Sequence, residues 1–565
     1  MNPGTHSAKY LVDLMKKKKK KRKRSISRYT GSQAKPQNRT AVQTISLCMI
    51  VKNEEKFLPG CLESVQNLVD EIVIVDTGST DKTQDIARKF DAKLYNFKWR
   101  NDFAEARNYA LERCSSSWIL YLDADERLPE KYHTLLREQI SLNDAEALYL
   151  KVYSSVSGIL GNVPHIQAYP RLFRKIPGAQ FEGKIHEQIT PSLKRLNARF
   201  KYVDATIEHL GYAQDDYVLK QKIERNLALL ADQIQKEPRN AYAHFQMGQT
   251  LLLNQKIEEG KLYLLKALNF HSLPSNLTST ALLMLANEYF KDEDYDIALG
   301  HIEKAIQLSP RQRLGYFLQS ECYAKQHHWK EAIEALQKVQ QYSDTPFSDI
   351  SIEKTFDAYL LSQRMGLYWF HLGNHSRAME SFWDYFRQAR SVRFSFLEKW
   401  VHAWQELGSP AEEANKIIGY FRNKPDAFDE EIAAAKMLAG VAEKVQQSES
   451  MADYLKFCLN KNPHDATSLY YLGNIALERN DVTTAVNYYQ KALQIEQNVW
   501  EIYYNYAVTQ IKLMDFAAAI RTLEKAVQRF PEKEPTVKRL ITGLYAKLGI
   551  YDKVMENLSE SIEAG

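Results

Sequence analysis

Trp118-Ile119-Leu120-Tyr121-Leu122-Asp123-Ala124-Asp125-Glu126 decides how this chain folds. Five apolar or aromatic residues in a row are too few for a helix. They suit a strand buried on both faces, as in a parallel sheet. The run stops abruptly in Asp123, Asp125 and Glu126. Three carboxylates at the end of a buried strand are costly unless something positive sits beside them. In open α/β sheets, ligands bind at the carboxyl ends of strands. Asp125, with or without Asp123, can hold a hard cation there, because magnesium takes one or two carboxylates plus substrate phosphates.

Outward from this stretch the same pattern repeats. Ile45–Val51 (ISLCMIV) predicts a first buried strand ending at Lys52-Asn53-Glu54-Glu55. A helical pattern follows, with Phe57, Leu58, Cys61, Leu62, Val65 and Leu68 on one face. Glu71–Asp76 (EIVIVD) predicts a second strand, broken by Thr77-Gly78-Ser79-Thr80-Asp81, which offers a tight turn and helix caps. A helix to about Phe90, a short strand near Lys93–Phe97 and a helix over Phe103–Cys114 lead back to Trp118. Strands alternating with helices of this length predict a parallel sheet with crossover helices. Asn53, Glu54, Asp76 and Asp123–Glu126 all fall just past strand ends, where one crevice can collect them. Asp76 can accept an N–H from a base such as uracil, and Gly78 lets the backbone approach a ligand.

The bulk composition sets limits. At 565 residues the chain suggests about three or four domains. Its 44% hydrophobic and 26% charged residues are those of an ordinary globular protein. The net charge of +5 hides an asymmetry. Residues 1–40 hold thirteen Lys or Arg, including the run Lys16–Arg24, against the single acid Asp13, and the remainder carries −7. The body is therefore not expected to bind nucleic acid. Residues 1–43 are expected to be a basic, disordered arm, with weak attraction to an acidic surface as its functional reading. The five cysteines have no paired spacing, which suits a reducing compartment. Without an apolar run near 18 residues or a signal-peptide pattern, a cytoplasmic protein is expected.

The series MIVKNEE, IVIVDTGSTDKT, WRNDFAEARN and YLDADE resembles family 2 glycosyltransferases of the GT-A fold, over about residues 44–215. The resemblance implies a UDP-sugar donor, Mg2+ or Mn2+ at the DxD acids, and inversion at the anomeric carbon. Carried over, Asp76 matches the uracil-binding acid. Asp123 matches the first DxD acid, near ribose or metal, and Asp125 the metal ligand. Val51, Asn53 and Glu54 match the nucleotide-contacting end of the first strand, beside Gly78. Arg107 and Asn108 match positions lining the donor pocket. Transfer also needs a group to take the acceptor's proton, normally a carboxylate or histidine. Glu187, in Phe181–Glu187 (FEGKIHE), is the candidate base, and His186 can exchange roles with it. His209, in His209-Leu210-Gly211-Tyr212, is the candidate third metal ligand, since imidazole suits such ions. These two segments resemble the subgroup containing the sublancin S-glycosyltransferase, which also carries helical repeats after its catalytic domain.

Strand patterns are not expected beyond Tyr212. Over 216–565, small residues recur every 34 positions: Ala298 and Ala305 as Ala332 and Val339, Ala485 and Ala492 as Ala519 and Ala526. This resembles tetratricopeptide repeats, paired helices that bury their apolar faces by stacking. Weaker units fall near 241–270 and 366–390, and 341–460 departs from the pattern. The expected whole is a GT-A catalytic domain over 44–215 followed by an all-α repeat domain over 216–565. That domain would hold a peptide or protein acceptor, glycosylated on Ser, Thr or Cys, and could pair two copies of the chain. Transfer to a cell-surface glycan, or a repeat scaffold with an idle transferase domain, are the alternatives.

Overall fold

Alternating burial divides the strands of the first half between two cores. In the strand Trp118–Tyr121, Trp118 and Leu120 join one apolar cluster, while Ile119 and Tyr121 join the other. Ile45–Val51 (β1), Glu71–Asp76 (β2) and Lys93–Asn96 (β3) precede it, so it is β4. Each fully covered side chain in these clusters contributes roughly 1.5–3 kcal/mol. The helices Leu58–Val65 (α1), Thr83–Lys89 (α2) and Phe103–Arg113 (α3) are the crossovers. The structure is a computed structural model that describes residues 43–154, 165–210, 216–343, 352–354, 356–422 and 424–563. Nearly all of the expected basic arm, and Gly211 and Tyr212, lie outside these residues.

Strands β3, β2, β1 and β4 run parallel in that spatial order. The remaining strands are Glu126–Arg127 (β5), Ala147–Ser154 (β6), His165–Arg174 (β7) and Phe200–His209 (β8). They extend the sheet as β7-β6-β8-β5, with β7 antiparallel to both β4 and β6. The parallel half therefore presents its carboxyl ends, and so Asp76 and the Asp123–Glu126 turn, along one edge. β8 runs parallel to β6 and antiparallel to β5, which sets His209 opposite both Ser154 and Glu126.

Glu71 ties the start of this sheet together. Its carboxylate accepts from Lys93 Nζ at 2.6 Å, from the Ser115 backbone N–H at 2.7 Å and hydroxyl at 2.9 Å, and from the Ser46 hydroxyl. Burial alone would raise its pKa; the hydrogen bonds outweigh that and hold it at about 2. A depressed carboxylate adds stability above its ordinary value near 4.5 and loses it as pH falls toward 2. Glu71→Gln should therefore cost about 1–3 kcal/mol at pH 7. It should also flatten the loss of stability between these two pH values in urea titrations. An unchanged acid limb would show that Glu71 does not tie the strands.

From Asp216 onward the described residues are almost entirely helical. Asp216–Lys236 (α6, after Thr190–Arg195, α5) leads into helix pairs beginning with Ala241–Leu253 (α7). The short helix His133–Ser141 (α4) lies earlier, between β5 and β6. The pairs continue through 341–460, where the sequence spacing fails. Ala298/Ile302/Ala305 recur as buried triplets at Ala332/Leu336/Val339, Ala378/Phe382/Tyr385, Ala414/Ile418/Phe421, Met451/Leu455/Cys458, Ala485/Tyr489/Ala492 and Ala519/Leu523/Ala526. The interval is 34 residues at both ends but 46, 36 and 37 across the middle. Extra residues between pairs, not missing helices, broke the period. Glycine allows the close approach within a pair: a Cβ on Gly366 would lie 2.5 Å from the Phe382 ring, and one on Gly473 2.6 Å from Tyr489.

The longest interval corrects a second expectation. Ile352–Lys354, between the helices ending at Gln341 and starting at Ala358, is a strand (β9) antiparallel to His165–Gln167 of β7. Strand structure therefore does not end at Tyr212: the helical half returns a segment to the sheet. Among the described residues no helix is long and apolar enough to cross a membrane.

Candidate active site

Asp76 closes β2 and is 1% exposed. Its Oδ1 accepts from the backbone N–H groups of Gly78 and Ser79, both at 2.8 Å. Gly78 is needed for its φ of +111°, and a Cβ there would meet open space. Asp76 Oδ2 is buried with no hydrogen-bond partner among the described residues. A buried carboxylate oxygen left without a donor is costly, so the orphan marks a place where a ligand's N–H fits.

The end of β1 is laced to the same turn. Val51, buried, accepts through its carbonyl from Thr77 N–H at 3.0 Å and Thr77 hydroxyl at 3.1 Å. Asn53, at φ +55°, accepts from Thr80 N–H at 2.8 Å through its side chain, and its backbone N–H donates to Ser79 Oγ at 2.9 Å. The Glu54 backbone N–H donates to Thr83 Oγ1 at 2.7 Å. These residues shape the β2 turn around Asp76.

The NDFAEARN stretch divides its labour among three residues. Asp102 caps α3 by accepting from Glu105 N–H at 2.9 Å. The Asn108 carboxamide pairs with both backbone groups of Phe181, at 3.0 and 2.7 Å, and so anchors the FEGKIHE loop. Arg107, with 7% of its side chain exposed, joins two candidate residues: Nη2 donates to Asp123 Oδ1 at 2.6 Å and Nε to Glu187 Oε1 at 2.5 Å. Enclosure would raise the Asp123 pKa, but the charges of Arg107 and Arg171 hold it at about 2. Glu187 is thus a largely covered, ion-paired carboxylate with 10% of its side chain exposed. His186, by contrast, is exposed, at φ +53°.

Asp125 and His209 come together from β5's turn and the end of β8, with His209 Nε2 3.1 Å from Asp125 Oδ2. The other ring nitrogen lies 3.0 Å from Ser154 Oγ, which fixes the ring. Burial opposes the imidazolium, but Asp125, Glu126 and Asp123 together raise the His209 pKa. Two ligands at adjacent corners of an octahedral ion lie roughly 3 Å apart for bonds of about 2.1 Å. The Asp125–His209 pair thus fits a divalent cation. Asp123 does not join them: no three His, Cys, Asp or Glu among the described residues converge as a metal site, and Arg107 engages Asp123 instead.

The positive charge that the acids require comes from Arg171 as well as Arg107. Arg171, on β7, donates to Glu126 Oε1 at 2.6 Å with both side chains buried. Glu126 Oε2 accepts from Asp123 N–H at 2.9 Å and so holds the turn. Burial pushes Glu126 up to about 7, with Arg171 pulling against it. Arg171 stood in an unremarkable YPRLF strand, and only strand order brings it to Glu126. A separate cleft of 980 Å³, walled in part by Phe97, Tyr109 and Lys175, includes none of Asp76, Asp123, Asp125, Glu187 or His209.

A mixed sheet whose parallel half carries acids at its carboxyl edge, followed by stacked helix pairs, defines an α/β domain joined to a repeat domain. Residues 46–202 match the model of Glycosyl transferase family 2, and 283–346, 452–499 and 476–544 match Tetratricopeptide repeat models. The chain is 33% identical over 273 residues to a TPR repeat-containing protein of Synechococcus elongatus, covering 47% of this chain and 67% of that one. It is 32% identical over 237 residues to the SPbeta prophage-derived glycosyltransferase SunS of Bacillus subtilis, covering 40% and 53%. It is 32% identical over 202 residues to the lipopolysaccharide core biosynthesis glycosyltransferase LpsC of Rhizobium meliloti, covering 34% and 71%. The chain belongs to glycosyltransferase family 2, with tetratricopeptide repeats after the GT-A domain. The match spans only about half the length of SunS.

Proposed function

We propose that this chain transfers a sugar from a UDP-sugar, with inversion, to a Ser, Thr or Cys side chain of a peptide or protein held by its repeats. The catalytic part is residues 44–215 and the acceptor-holding part 216–565, with 1–43 as a basic arm that touches acidic surfaces weakly. The orphaned Asp76 Oδ2 carries the reading: a buried acceptor at the carboxyl end of β2 suits the imide N–H of uracil. Val51, Asn53, Glu54 and Gly78 shape that pocket. Asp123 and Arg107 stand at the ribose and phosphate side. Asp125 and His209 would hold Mg2+ or Mn2+, whose chemistry when bound is to neutralise the leaving nucleoside diphosphate. Glu187 takes the acceptor's proton, its orientation fixed by Arg107. A thiol acceptor, with an ordinary pKa near 8.5, needs less help than a hydroxyl.

The resemblance of FEGKIHE and HLGY to the sublancin S-glycosyltransferase subgroup, and the helix pairs that follow, support a polypeptide acceptor. Two copies pairing through the repeats, and a cytoplasmic setting, belong to the same reading. A glycan acceptor is the second reading, favoured by the likeness to LpsC, a lipopolysaccharide core enzyme by name.

Calorimetric titration with UDP and Mn2+ tests the donor pocket. Asp76→Asn keeps an acceptor for the Gly78 and Ser79 N–H groups but can turn an amide donor toward uracil. UDP should bind about tenfold to a hundredfold more weakly. Unchanged affinity would remove Asp76 from the pocket.

A further inference from the structure

The loop that carries Glu187 is held from the helical half of the chain. Glu182 and Gln188 close the loop by exchanging backbone hydrogen bonds of 3.0 and 2.9 Å. Its tip leans on α6 and α7: Lys184 pairs with Asp232 at 2.5 Å, and Ile185 packs with Leu229, Leu230 and Met247. The polar centre of this contact is the Tyr242 hydroxyl, on α7. It donates to the His186 carbonyl at 3.0 Å and accepts from Gln188 Nε2 at 2.8 Å and Gln246 Nε2 at 2.7 Å. A tyrosine hydroxyl has one donor and two acceptor sites, and all three are used. The two loop bonds fall on the residues immediately before and after Glu187.

We propose that Tyr242 is a positioning residue that sets the orientation of Glu187 across the junction between the repeat helices and the catalytic sheet. The proposal rests on the reading of Glu187 as the base. The Tyr242 hydroxyl spends its three hydrogen bonds on His186, Gln188 and Gln246 and none on Asp76, Asp125 or His209, so its effect is confined to the Glu187 side of the site. Loss of the hydroxyl leaves the Glu182–Gln188 loop closed at its base through Asn108 and Phe181 and leaves the Glu187 carboxylate on Arg107, but it removes the bonds that hold the residues on either side of Glu187.

The test is steady-state release of UDP from UDP-N-acetylglucosamine and UDP-glucose with Mn2+, using the full chain. Tyr242→Phe should lower kcat about tenfold to a hundredfold, the cost of misplacing a reacting group by about 1 Å. Its KM for the donor should stay within about twofold, because uniform donor binding is untouched. Amide hydrogen exchange over residues 182–188 should accelerate in the same protein. Gln188→Met, which removes one arm of the node without touching α7, should reproduce the kcat loss if Tyr242→Phe does not fold. An inactive Glu187→Gln beside a Tyr242→Phe of wild-type kcat would overturn the positioning role and leave Glu187 as base. A fully active Glu187→Gln would overturn the reading beneath it, and this proposal with it.

Discussion

Asp125→Ala is expected to abolish Mn2+-stimulated release of UDP from a UDP-sugar. The diphosphate leaves with a charge that only a cation or a cluster of arginines can offset in an enclosed site. Asp125 is the one DxD acid here that meets an imidazole instead of a guanidinium, with 16% of its side chain exposed and His209 at 3.1 Å. Removing it takes away the charged partner of that pair and should cost about 4 kcal/mol of transition-state stabilisation, about a thousandfold in kcat/KM. His209→Ala should cost less, about tenfold to a hundredfold, since it deletes a neutral ligand and leaves the acid in place. Asp125 is on a turn, so the melting temperature should barely move. Equal wild-type and Asp125→Ala rates, each unaffected by chelator, would end the assignment of a metal to this corner of the site.

The largest effect on stability is expected from Arg171→Met. Arg171 and Glu126 have 8% and 3% of their side chains exposed and form one ion pair beneath the Asp123 turn. Removing the cation alone strands a buried carboxylate, which typically costs about 3–5 kcal/mol. Removing both charges, in Arg171→Met with Glu126→Gln, should recover most of that loss. Glu126 already sits at about 7 because burial raises it, and losing Arg171 raises it further. A raised carboxyl favours the fold below its ordinary value near 4.5 and loses that advantage as pH climbs through the folded value. The single variant should therefore be least destabilised near pH 5 and most above pH 8. Urea midpoints across that range check it; a flat profile would mean the pair is not what bears the turn.

What could be read from the sequence follows from the range of the interactions involved. Buried strands β1, β2 and β4 announce themselves because each is a short apolar run ending in polar residues. The repeat helices announce themselves wherever the 34-residue interval survives. Asp125 and His209, 84 residues apart, were paired from motif resemblance, and the sheet brings them together through β5 and β8. Arg107 was expected at the donor pocket, but its double attachment to Asp123 and Glu187 depends on α3 and the FEGKIHE loop meeting in space. Asn108 and Asn53 match ligand-lining positions by resemblance, and their side chains also hold loops. Nothing local separates those two roles, since a carboxamide suits both. Arg171, Ser154 and Tyr242 carried no signal because their partners lie 45, 55 and 56 residues away. The helix pairs of 341–460 were hidden by insertions that shift the spacing without altering the pattern within a pair.

One of those insertions ties the two halves by backbone as well as by side chains. Ile352–Lys354 completes hydrogen bonding along His165–Gln167. The chain thus leaves the transferase sheet after His209 and re-enters it more than 140 residues later. A fragment ended near residue 215 would expose bare strand edge on β7 and invite association with whatever extended peptide is nearby. Exchanging the repeat series for another would likewise have to carry this graft along, making inheritance of the two parts a joint affair.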